Sequence, residues 1–230
     1  MTPGEAITRR AIRTPRAAAV AGIVFSVLLT VALVLIRLAV PADPNDAGAW
    51  LSDDSRRNAV LFALGLIPFA GIAFLWFIGV VRGRIGDVED RFFATVFLGS
   101  GLLFVAMLFV SSAVVGGLVE GARQGARISV APDVWAFGRH EMYALATIYG
   151  LRMAGVFVAS TSTILLRERI APRWLAILGY LVALALLVTL GLSAWIALVF
   201  PAWVFVLSVH ILIVSLRPAG EPSGRSPVEG

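Results

Sequence analysis

AAAVAGIVFSVLLTVALVLIRLAV, residues 17–40, carries no charge except Arg37 and follows four arginines, Arg9, Arg10, Arg13 and Arg16. At ~1.5 Å of helical rise per residue the run is long enough to cross a hydrocarbon core of ~30 Å. A secretory leader has an apolar stretch of only ~7–15 residues ending in a small-residue cleavage pattern. This run is longer, Arg37 interrupts its far end and Pro41 spoils the pattern, so it reads as a first transmembrane helix.

The same alternation of long apolar runs and short charged stretches continues along all 230 residues, of which 59% are hydrophobic and 14% charged. Soluble domains carry roughly a quarter charged residues. The segregation therefore predicts an all-α, polytopic membrane bundle of six spans. Their expected limits are 17–40, 58–81, 92–118, 142–166, 174–190 and 194–216. Residues 1–16 form a basic N-terminal segment, 17–217 the transmembrane domain, and the Pro/Gly/Ser-rich 218–230 a disordered tail. The fifth span is only just long enough to cross, and little more than Gly191 and Ser193 separates it from the sixth.

All 19 basic residues are arginine, and the pI is near 10.9. In a soluble chain such a balance would point to nucleic acid. Here most arginines lie at span ends, twelve on the side of the termini against five opposite, which puts both termini in the cytoplasm. The expected partners are membrane lipids, with anionic head groups at the cytoplasmic face and no nucleic acid. The codon bias implied by abundant Ala, Gly, Val and Arg without Lys associates the chain with a high-GC bacterium and a multi-pass place in its cell membrane. Trp50, Trp135, Trp174 and Trp195 fall near span ends, as interfacial anchors do.

The absence of Cys excludes disulfides, thiolate catalysis and Cys-held metal. Arg152 is the most informative polar residue. It lies about ten residues into the fourth span, where a lipid-facing Arg costs roughly 2.5–3.5 kcal/mol, and no carboxylate lies mid-span to pair with it. It is thus a candidate for anion or lipid-head-group binding, with Tyr149 on a neighbouring face, or else a packing Arg bonded to helix carbonyls. His210 in the sixth span is a second candidate, for a ligand or for an interhelical hydrogen bond.

Other constellations are weaker. Ser100 within Phe97-Leu98-Gly99-Ser100-Gly101 lacks the Gly that an intramembrane serine protease motif needs at position 98. Asp133, His140 and Glu141 match no zinc spacing. No catalytic residue, metal or cofactor is expected. Ala18, Gly22, Ser26 and Thr30 form a small-residue stripe able to bring a helix close, from within the chain, from a second copy or from a partner membrane protein. Pro68 and Pro201 are expected to kink their helices.

Phe74-Leu75-Trp76-Phe77-Ile78-Gly79-Val80-Val81-Arg82 with Asp87-Val88-Glu89-Asp90-Arg91, and Arg169-Ile170-Ala171-Pro172-Arg173-Trp174-Leu175-Ala176-Ile177-Leu178-Gly179-Tyr180, carry a resemblance. They look like segments of an uncharacterised family of multi-pass membrane proteins from high-GC bacteria. The resemblance covers the second to sixth spans, implies a domain of unknown function and transfers no catalytic residue. The combined expectation is a non-enzymatic accessory or structural membrane component, with a transporter or an anion- or lipid-binding protein using Arg152 as the alternative.

Overall fold

The computed structural model describes residues 3–40, 49–82, 91–124, 132–167, 172–188 and 194–216. The disordered-tail expectation, the turn at Gly191 and Ser193, and Arg84, Arg127 and Arg169 fall outside these. Among the described residues the chain is helical: α1 (Pro3–Ala39), α2 (Asp54–Arg82), α3 (Arg91–Gln124), α4 (Pro132–Tyr143), α5 (Leu151–Arg167), α6 (Arg173–Val188) and α7 (Val199–Leu216). One-turn 3₁₀ helices stand at Ala49–Ser52 and Ala194–Leu198, and a π-helical segment, Ala144–Gly150, joins α4 to α5.

Five helical stretches are long and apolar enough to cross a membrane: Arg16–Ala39, Asp54–Arg82, Phe92–Arg123, Val134–Arg167 and Trp195–Leu216. Helix α6 is apolar but has 16 residues, about 24 Å of rise. The expected fifth span is thus a short helix, several residues less than a ~30 Å core asks for.

The five long stretches meet in one aromatic layer. Phe25, Phe74, Phe104, Phe157 and Phe200 each come from a different stretch, and their ring centroids pair at 4.4–6.4 Å. Most pairs are tilted or edge-on, the geometry that the ring quadrupole favours. Phe97 stacks on Phe157 at 4.7 Å and Phe77 on Phe74 at 6.2 Å, which thickens the layer. Helix α6 adds no ring. It lies outside the layer, along α5 and part of α7.

Close approach around this layer depends on missing side chains. A Cβ on Gly22 would overlap the Ser208 hydroxyl and stand 2.9 Å from the Phe77 ring. Ala18, Gly22 and Ser26 are buried with it. The stripe on α1 therefore serves an internal contact, α1 against α7 and α2. A Cβ on Gly179 would likewise overlap the Ser162 hydroxyl, so α6 sits directly on α5 there. One polar bond supports that contact. Thr163 Oγ1 donates to Ala159 O at 3.0 Å and so accepts from Tyr180 OH at 2.8 Å. Tyr180→Phe is expected to lower stability by roughly 0.6–1.7 kcal/mol, the range for interhelical hydrogen bonds in membranes, read as a modest fall in thermal midpoint.

The two ends of the bundle differ in chemistry. At one end Arg16 donates to the Ser215 carbonyl at 3.2 Å, tying the entry of the apolar part of α1 to the exit of α7. Arg167 lies 4.8 Å above the Phe93 ring. At the other end Ala39, Trp50, Val60, Val115 and Val119 form a small second core. There Asp53 caps α2, its carboxylate accepting from Ser55 N at 2.9 Å, and pairs with Arg56 at 3.4 Å. Asp54 pairs with Arg57, and Glu120 with Arg123 at 3.5 Å.

Three local expectations are corrected. Trp50 is only 4% exposed and packs on Trp135 at 6.1 Å, so it is a core residue of this end and not a lipid-facing anchor. Trp174 and Trp195 are exposed at helix ends, as anchors are. Pro201 lies in the first turn of α7, where a missing N–H breaks no established bond. Val134–Phe137, outside the span expected at 142–166, belongs to α4 and continues into the fourth long stretch.

Candidate functional site

Arg152 stands at the start of α5, directly after the π-helical segment. In that segment the ladder shifts by one residue, and the Leu151 N–H bonds Ala146 O. Gly150 suits the tightened exit, since a Cβ there would stand 3.1 Å from the Leu145 carbonyl oxygen. Arg152 Nη1 donates to Ile148 O, four residues back, at 3.0 Å. That bond turns the side chain back along the helix toward the Trp50 end.

The bond uses one donor of a five-donor group. Among the described residues Arg152 has no other hydrogen bond and no ion pair. It is partly buried. Its neighbour three residues on, Gly155, faces α6: a Cβ there would lie 2.9 Å from Leu187 and 3.2 Å from the Ala183 carbonyl. Residues three apart share a helix face, so Arg152 stands on the α6 side of α5, one turn beyond that contact. The carbonyl end of α6 favours a cation at this place.

Tyr149 does not join it in a closed site. The wider π turn changes the angular offset between the residues before Gly150 and those of α5, and Tyr149 is 57% exposed. His210 lies at the other end. It is ten residues past Phe200 on a helix running away from the layer, whereas Arg152 is five residues before Phe157 on the opposite side, which separates them by about 23 Å of helix rise. The three sequence candidates therefore form no single constellation. Ser100 is also resolved: its hydroxyl donates to its own helix at Val96 O, 2.6 Å, and not toward a base. Among the described residues no group of three or more His, Asp or Glu could hold a metal.

Two polar atoms escaped the sequence reading. Ser208 Oγ and Trp203 Nε1 are buried without a hydrogen-bond partner among the described residues, both on α7 and both beside a glycine, Gly22 and Gly179. Their position against small residues fits helix-to-helix contact, with α7 wedged between α1 and α6. The π-helical segment escaped as well, because its residues, Ala-Leu-Ala-Thr-Ile-Tyr-Gly, carry no breaker before Gly150. The chain matches no protein-family model, no curated protein and no solved structure.

Proposed function

We propose that the chain is a non-enzymatic, six-span component of a bacterial cell membrane, with both termini in the cytoplasm, acting as a structural or accessory partner of other membrane proteins. The observation that carries this reading is the aromatic layer. Five rings from five helices fill the bundle axis, and each is at most 5% exposed. A transport path through the middle would need these rings to part, whereas a scaffold needs them packed. The family resemblance, which brings no catalytic residue, agrees with this.

The topology has separate support. Arg16 meets Ser215, so the first and last helices end at one face, which requires an even number of crossings and favours α6 as the sixth. Arg16, Arg82 and Arg167 lie nine, eight and ten residues from the Phe of their own helix, about 12–15 Å of rise. That is half of a ~30 Å core. The layer then lies near the bilayer midplane, with the arginines at the cytoplasmic boundary. Residues around Trp50 form the external end.

The natural chain has no Cys, so single-Cys variants report position cleanly. Ser52→Cys is expected to react with an impermeant maleimide in right-side-out vesicles. Reaction only after permeabilisation would invert the topology. Ala154→Cys, fully buried beside the layer, is expected to stay unreactive from both sides whatever solute is added. Labelling that appears from one side when a metabolite is present would replace the scaffold by a transporter.

A further inference from the structure

We propose that the outward face of α2 docks a second copy of this chain, set beside the first in the membrane about a two-fold axis along the bilayer normal. The depth used below for Trp76 rests on the membrane-spanning reading given above.

Helix α2 packs on α1 and α3 through its buried side. On the opposite side Phe62, Phe69 and Trp76 recur every seven residues and are 62%, 64% and 70% exposed. Gly65, Ile72 and Gly79 recur every seven residues between them. Ile72 is 51% exposed, and both glycines are exposed with nothing within 4 Å of a Cβ. Steps of alternately three and four residues form the seam of two helices that cross at about 20°.

Trp76 argues against lipid as the only cover. It lies two residues from Phe74, about 3 Å from the aromatic layer and so near the bilayer midplane. A lipid-facing indole belongs at the head-group level, where its N–H finds a polar partner. Lipid tails at the midplane offer no acceptor, and among the described residues Trp76 makes no hydrogen bond. The outward face of α6 differs. Its Ile177, Leu181 and Leu184 are exposed aliphatic chains, as apolar as the tails around them.

The α2 face fits its own copy. Side chains on a helix lean toward its N-terminus, so the Phe69 ring lies about one turn back, at the level of Gly65. Two copies share one topology, and about an axis along the normal each residue stands level with its counterpart. Phe69 of each copy then covers the backbone bared at Gly65 of the other, a reciprocal contact of the kind that two-fold symmetry requires. Trp76 meets its counterpart, and an indole N–H over the facing ring gains an acceptor that the tails lack. At ~150–250 Å² for a whole aromatic side chain, the three rings present on the order of 300–500 Å². That is about half of the ~800 Å² that each partner of a stable pair buries, before Ile72 and the two bared glycine turns are added.

Cross-linking in native membranes tests this, since the chain has no Cys of its own. With copper–phenanthroline, Ile72→Cys is expected to give a disulfide-linked dimer of this chain, because its counterpart lies level with it across the seam, within a disulfide's reach. Ile177→Cys, 56% exposed on α6, is the control and is expected to stay monomeric. Adding Trp76→Leu to Ile72→Cys is expected to lower the linked fraction at matched expression by roughly tenfold, as loss of an aromatic anchor does. No dimer from Ile72→Cys, a link to a different protein, equal linking at Ile72 and Ile177, or an unchanged linked fraction with Trp76→Leu overturns the proposal. Labelling of Ser52→Cys decides the topology separately. If it labels from outside and Ile72→Cys does not link, the dimer alone falls; if it labels only from inside and Ile72→Cys links, α2 still crosses and the dimer stands.

Discussion

Phe74→Ala is expected to lower the unfolding free energy by about 3 kcal/mol, the low end of the ~3–5 kcal/mol range for removing a buried Phe. Phe74 has no exposed surface and touches five rings, Phe25, Phe77, Phe104, Phe157 and Phe200. Lipid tails are as apolar as the ring, so its transfer out of lipid contributes little. The loss comes from the cavity and from dispersion contacts that no neighbour can restore. Equilibrium unfolding in mixed detergent–SDS micelles measures it. Phe92→Ala is the control, since Phe92 is 71% exposed and, among the described residues, its ring pairs with Phe93 alone. A cost at Phe74 no larger than at Phe92 would mean that the layer is not the core of the fold.

Gly22→Leu is expected to have the next largest effect, a loss of about 1–3 kcal/mol or more from overpacking. The first carbon of the new side chain already overlaps Ser208 and crowds Phe77, and neither can move far because both are fully buried. Helix α7 must shift away from α1, which also loosens Phe200 in the layer. Gly99→Leu separates packing from helix propensity: nothing lies within 4 Å of a Cβ there, and that change is expected to be neutral or slightly stabilising. The same unfolding measurement reads both, and equal effects at Gly22 and Gly99 would show that α1 and α7 do not pack as described.

The all-helical architecture was legible because membrane spans announce themselves by length and apolarity. Residues 58–81, 92–118 and 142–166 each fall within a long described stretch, and all but the last residue of 17–40 does too. The short α6 was legible too, in a fifth run that barely reached crossing length. Which residues face inward was much less so. In a span that is hydrophobic all round, Phe74 and Phe69 look equivalent, yet one is buried and the other 64% exposed.

The small-residue stripe on α1 marked a contact but not its partner, since a glycine says that something approaches and not what. Arg152 stood out because charge is rare in a span, and it lies near the middle of the long stretch Val134–Arg167. The fourth helix starts ten residues earlier than the apolar run, at Pro132. The π-helical turn then separates Tyr149 from Arg152, and no residue in Ala144–Gly150 announces that change of ladder.

The contact between Gly22 and Ser208 joins the first helix to the last, and that has a consequence for biogenesis. A ribosome adds ~5–20 residues per second, so the nearly two hundred residues between these positions take about 10–40 s to synthesise. For that interval the nascent protein holds α1 with the α7 side of its stripe uncovered and the Phe200 place in the layer vacant. Formation of the early helices and consolidation of the core are therefore separate events, and chains truncated before Val199 are expected to stop at the first.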